Sequence, residues 1–448
     1  MANLLKTSVF IAALILILSP DYVESGIWTL CDTGDPIPPS RSSHSAIHDI
    51  VGERMIIFGG MSATYGEVLG DMWAMDNTTF VWSELVASND GPPGLRAHAA
   101  IYDPITNSMM FFGGVYNSGG ITNDFWILNL ETLVWTQHIA DSEPWPIPRF
   151  NCYGAYSQST NEMIVFGGRN LEYRLNDLWA LDLATYSWRQ IPYGEPWPSV
   201  RAGVPMVMID QDEFLIFGGN DGINPHFNDG WTFDLVLNQW TEYDPPDPLP
   251  TGRRRCSLAY EAISNRVLIY GGLPNNTDPA FSDLWQFDLN TMTYAELAQS
   301  GDIPAGRGYH SVIENFGGHK IIVFAGADFV MNQIYSDTYF LDWEYSDYLP
   351  GDVNMFNGAW PPAVIGGDVT YLVNYFRSLP ASQPCLIGGF WNSADANGDC
   401  NIIGSDVTKL VAYFRGQGDV QYCPEYPPMW LSPDDLPLEA PEAWPGCE

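Results

Sequence analysis

Residues 394–416 read "ADANGDCNIIGSDVTKLVAYFRG" and set oxygen-bearing side chains at the spacing a hard cation needs. Counting from Asp395, side-chain oxygens fall at positions 1, 3 and 5 (Asp395, Asn397, Asp399). Position 7 offers the main-chain carbonyl of Asn401, and position 12 is Asp406. Oxygens converging in this order suit calcium, which takes several hard oxygen ligands in a flexible geometry. Val407, Leu410, Val411 and Phe414 follow at i, i+3, i+4 and i+7, the apolar face of a helix. An ordinary Asx-rich turn capping that helix is the plainer alternative. An upstream copy repeats the helical face with Val369, Leu372, Val373 and Phe376. It keeps only Asp352, Asn354 and Asp368 of the ligand set, with Phe356 at position 5 and an insertion around residues 357–361.

A duplicated calcium loop followed by one helix, with Asp at position 12, resembles a dockerin over residues 350–418. The second copy departs from the pattern at position 6, where Cys400 stands in place of Gly. The resemblance implies calcium as cofactor and a cohesin-like or other scaffold or surface protein as partner. A core this small is expected to need the ion and disulfides to order it. Cys385, Cys400, Cys423 and Cys447 crowd the end of the chain. In an oxidising compartment they predict two disulfides, with all three pairings open. Residues 419–448 contain no Lys or Arg and are rich in Pro and acid, a tail strapped against the module rather than a core of its own.

The start of the chain agrees with such a compartment. An apolar run from Val9 to Leu18 follows Lys6 and ends in Ser and Pro. It is too short to span a bilayer and predicts a secretory signal peptide over residues 1–25. Fifty-four acidic residues against 18 basic ones give a formal charge of −36. That surface repels nucleic acid and anionic lipid, and suits divalent cations or an extracellular setting. An acidic surface that only keeps an exported protein soluble is the simpler reading.

The body of the chain is a repeat. "RMIIFGG", "SMMFFGG", "EMIVFGG", "EFLIFGG", "RVLIYGG" and "KIIVFAG" recur with the first glycine at 59, 113, 167, 218 and 271, and Ala325 in that place in the sixth. Each is followed by a variable loop, an Asp-led apolar run such as "DLWALD", and an aromatic residue (Trp82, Trp135, Trp188, Trp240, Tyr294). A Pro/Gly-rich link then reaches an Arg, read as Arg96, Arg149, Arg201, Arg253 and Arg307. Four short β-rich runs per unit predict four antiparallel strands. Such sheets cannot bury both faces alone and must stack around an axis. The pattern resembles kelch repeats over residues 26–343, and implies an all-β, six-bladed propeller related to the galactose oxidase/kelch superfamily. The sixth unit lacks its fourth strand, and "GIWTLCDTGDPIPPSR" with Trp28 supplies it from the other end. The N-terminal strand is therefore expected to close the ring, with 344–349 as a linker.

The repeated Arg and the loops after the paired glycines should share one face. Arg149 and Arg201, edged by Tyr116, Tyr173, Trp145 and Trp197, form a candidate ligand face for a glycan or an acidic peptide. An Arg repeated in every blade also suits a structural role, which the two link tryptophans do not share. His44, His98 and His310 stand where other blades have Cys152, Val204 and Cys256, the mark of a packing position. Tyr309-His310 resembles the ligand pair of copper-radical oxidases, but no second Tyr and His can be nominated from the sequence. No nucleophile or phosphate-loop motif is present. The sequence predicts a secreted or cell-surface recognition protein, with no catalytic residue nominated. A carbohydrate-active enzyme displayed on the same tether, and a structural matrix component, are the alternatives.

Overall fold

The computed structural model describes residues 25–343, apart from 63–65, 140–143, 224–225, 263 and 316–319. The expected signal peptide except Ser25, the expected calcium loops with Asp352, Asn354, Asp368, Asp395, Asn397, Asp399, Asn401 and Asp406, and the four C-terminal cysteines lie outside the described residues.

Within them the repeat folds as six four-stranded antiparallel blades. Their innermost strands are Ser45–Asp49, Ala99–Asp103, Tyr153–Ser157, Met206–Met208, Ser257–Glu261 and Ser311–Asn315. Each of these contacts the next in order, and the sixth contacts the first, so the ring is closed. The second strands, such as Ser108–Phe112 and Glu162–Phe166, are buried along their whole length because neighbouring blades cover both faces. Aromatic residues fill the seams: Trp135 of blade 2 meets Phe58 of blade 1 at 5.4 Å, and Trp240 of blade 4 meets Phe166 of blade 3 at 5.1 Å. Burying such side chains contributes roughly 1.5–3 kcal/mol each.

Blade 6 is completed from the other end of the chain. Ser25–Leu30 pairs antiparallel with Gln333–Trp343, Gly26 opposite Trp343 and Leu30 opposite Tyr339. Trp28 is buried there and packs on Tyr270 at 4.9 Å. A further strand that the repeat does not predict, Ala298–Gly301, lies parallel to Ser25–Trp28 and covers the exposed edge. Gly301 permits this approach, since a Cβ there would stand 2.2 Å from the carbonyl of Trp28.

Six residues, one per blade, form a collar at the top of the channel, the face that carries the loops after the paired glycines. Ser43, Ala97, Asn151, Gly203, Arg255 and Tyr309 all have φ between 55° and 66°. In that left-handed conformation each donates its N–H to the carbonyl of the residue before it in the ring. The six bonds, including Ser43 to Tyr309, measure 2.8–3.1 Å and close on themselves. Below the collar a waist of Ala46, Ala100, Gly154, Met206 and Val312, small in three blades and larger in the others, separates an upper cavity of about 190 Å³ from a lower one of about 1030 Å³.

Candidate functional site

Arg149 and Arg201, nominated as ligand residues, are almost completely buried, at 0% and 1% exposure. Arg149 donates from Nη1 and Nη2 to the two carboxylate oxygens of Asp177 at 2.7 and 2.8 Å, and to the carbonyl of Gly167 at 3.1 Å. Arg201 does the same with Asp229 and Gly218. The acidic partner also accepts the indole N–H of the tryptophan two residues on, as Asp177 does from Trp179 at 2.7 Å. The "D-x-W" spacing is thus a receptor for the arginine. The arginine's own carbonyl accepts from the second glycine of the previous blade, Gly114 to Arg149 at 2.8 Å and Gly168 to Arg201 at 3.0 Å. One residue therefore ties two blades together.

The register of this series needs one correction. Arg96 does not belong to it, because Leu95 occupies the equivalent place and Gly60 donates to the carbonyl of Leu95. Arg96 pairs with Val115 as Ser42 pairs with Met61. With no guanidinium available, Asp124 accepts instead from the Tyr116 hydroxyl at 2.6 Å. Burial first, and then this carboxylate, push the Tyr116 phenol up to about 12. Tyr116 is accordingly built into the blade.

Trp145 and Trp197 are half-buried and donate their indole N–H to the main chain, to Asn123 at 2.9 Å and Asn176 at 2.7 Å. They lie against Trp188 and Trp240 at the blade seams. Tyr173 is 51% exposed on its loop, beside Arg174.

The cations that reach the open face are different ones. Arg169 and Arg174 of blade 3 and Arg254 and Arg255 of blade 5 gather around the mouth across blade 4, where Ala202 and Gly203 leave room. A Cβ on Gly203 would lie 2.9 Å from the Arg255 side chain. Among the described residues, none of the four forms an ion pair with a carboxylate. Arg174 bonds the side chain of Asn220 at 3.0 Å, and Arg254 that of Asn276. Arg255 stacks on Tyr309, 3.9 Å from its ring centre, and its buried Nε has no partner. Burial, with Arg254 and Arg169 adding repulsion, holds Arg255 down at about 10. Arg174 and Arg254 are lowered chiefly by burial, with cationic neighbours adding to it and Asp221 near Arg174 and Tyr309 near Arg254 opposing it. Crowded, partly dehydrated cations of this kind are stabilised by an anion.

Apolar tips rim the same face. Leu171 and Ile223 are 80% and 88% exposed, and the Phe329–Met331 turn projects beside Tyr309, with Phe329 at 5.2 Å from that ring. Residue types alone contained one signal for this site: "RRR" at 253–255 in a chain with only 18 basic residues.

The histidines are hooks between blades. His44 bonds Ser311, His98 bonds Ser45 and His310 bonds Ser257, at 2.7, 2.6 and 2.7 Å. Cys152 and Cys256, in the same place in their blades, are buried, and burial raises their thiols to about 11 and about 12. Among the described residues no group of three His, Cys, Asp or Glu side chains could hold a metal ion.

The sequence matches the family described as KLHDC2/KLHL20/DRC7 Kelch-repeats domain over residues 18–199, 92–272 and 197–350. Its relatives include Kelch domain-containing protein 2 of Bos taurus, 26% identical over 57% of this chain and 66% of that protein. Kelch domain-containing protein 3 of Homo sapiens is 24% identical over 56% of this chain and 66% of the relative. Acyl-CoA-binding domain-containing protein 4 of Arabidopsis thaliana is 26% identical over 67% of this chain and 45% of its own length. The match thus spans just under two thirds of the first two relatives. By fold, by repeat and by this coverage, the chain belongs to the kelch-repeat family.

Proposed function

We propose that the propeller is a protein-recognition module that binds an acidic segment of a partner protein, with apolar residues flanking the acid. The observation that carries this reading is the four-arginine mouth, without carboxylate partners among the described residues, on a chain of formal charge −36. An acidic segment would meet repulsion over most of such a molecule, so a local cationic basin both attracts it and fixes where it lands. The exposed tips of Leu171, Ile223 and Met331 supply the apolar part of the interface. We further propose that the exported chain is tethered through calcium held at Asp395, Asn397, Asp399, Asn401 and Asp406, which would present a docking surface to a scaffold protein.

The test is a display library of acidic peptides probed with the full chain, beside a glycan array. Peptides carrying Asp or Glu next to apolar residues should be enriched. The Arg254→Gln/Arg255→Gln variant should bind them at least tenfold more weakly, since each lost charge-assisted bond is worth roughly 1.5–3 kcal/mol. Rising salt should weaken the wild type more than the variant. Binding to glycans alone, or unaltered peptide binding by the variant, would overturn the assignment.

A further inference from the structure

The lower mouth of the channel is a second site with the opposite chemistry. One register position of the six inner strands supplies His48, Tyr102, Tyr156, Met208, Tyr260 and Glu314 to its wall. The three tyrosyl hydroxyls donate to Asn107, Asn161 and Asn265 of their own hairpins at 3.0, 3.2 and 3.0 Å, which fixes each side chain in place. Ile50, Pro104 and Met208 add partly exposed apolar surface, and among the described residues no Lys or Arg lines the cavity.

Glu314 is exposed to the water of this mouth, yet its carboxylate has no ion pair or hydrogen bond among the described residues. Nearby carboxylates are engaged, Asp49 by Arg54 and Glu261 by Arg266. The protein wall, and then Glu261, push Glu314 up to about 7. A neutral ligand without a donor would dehydrate this carboxylate and give nothing in return, a neutral donor would repay only part of that cost, and an anion would be repelled. A cation would gain both the carboxylate and the tyrosines, whose rings attract positive charge.

We propose that the lower mouth binds an alkylammonium ligand, its charge between Glu314 and the tyrosines and its hydrocarbon against Ile50, Pro104 and Met208. This site stands apart from the arginine face, and either can fail without the other.

The experiment is calorimetric titration of the full chain at pH 8 with butyltrimethylammonium, against the uncharged 3,3-dimethyl-1-butanol. The ammonium should bind, with the alcohol at least tenfold weaker. Glu314→Gln, whose thermal melt at pH 8 should match or exceed wild type because the ionised carboxylate is held there at a cost, should weaken the ammonium at least tenfold and the alcohol far less. Tyr102→Leu/Tyr260→Leu should weaken it as well, while Arg254→Gln/Arg255→Gln should not. Equal affinity for the two probes, full retention in Glu314→Gln, or no heat at millimolar ammonium would overturn the proposal.

Discussion

At Asp124 one blade meets with a phenol the need that other blades meet with a guanidinium. Both solutions keep a part-buried carboxylate bonded, and the comparison between blades supplies its own experiment. Replacing Arg149 with Ala strands Asp177 and the Gly167 carbonyl, and should cost roughly 3–5 kcal/mol in urea unfolding, as loss of one partner of a buried pair does. Arg149→Leu/Asn170→Tyr copies the Leu95/Tyr116 arrangement and should recover much of that loss. The interblade histidines predict acid sensitivity. Burial lowers His98 and His310 to about 3 from the ordinary 6.5, so the folded state holds them neutral while the unfolded chain takes up protons. Their contribution is whole above about pH 6.5 and is lost as pH falls toward 3. Denaturation midpoints should decline through that window. His98→Cys/Ser45→Ala, which copies the Cys152/Ala99 pair of the next seam, should flatten the decline.

At the scale of elements, the N-terminal strand carries more than its six residues suggest. Trp28 fills the blade 5–blade 6 seam against Tyr270 and donates to Gln299 at 2.8 Å. Trp28→Ala should therefore destabilise by roughly 3–5 kcal/mol. Hydrogen exchange should show protection lost first in Gln333–Trp343 and Ala298–Gly301. Much of the fold was legible before any coordinates. Five glycine pairs and one Ala-Gly fix the second strand of each blade, and a missing Trp at one end matched by a spare Trp at the other reveals the closure. Arg96 misled because Leu95 holds the structural place while its neighbour has the expected chemistry, and apolar and cationic residues cannot be aligned by type. "AQSG" at 298–301 carries no strand pattern because its partner, not its composition, makes it a strand. The candidate site was the least legible part. Arg169 and Arg254 are 85 positions apart and meet only because the ring brings blade 3 and blade 5 to one basin.

For the whole molecule, the two channel mouths differ in sign, with Arg255 at the upper collar and Glu314 at the lower wall. The chain can accordingly present an anion receptor on one face and a cation receptor on the other while its net charge stays strongly negative. The expected tether adds a calcium dependence. Asp395→Asn/Asp406→Asn should abolish the calcium-induced rise in melting temperature of the C-terminal transition, as calorimetry with and without chelator would show, and leave the propeller transition in place.

The pairing of Gly26 with Trp343 has a mechanical consequence. The chain enters and leaves the ring side by side, on antiparallel neighbours of a single blade. Force applied between the two flanking segments does not stretch the collar of hydrogen bonds. It is concentrated on one rung at a time between Ser25–Leu30 and Gln333–Trp343, so those strands peel apart like a zip while the other five blades stay unloaded. Pulled from its two ends, the propeller should give way first at its own seam.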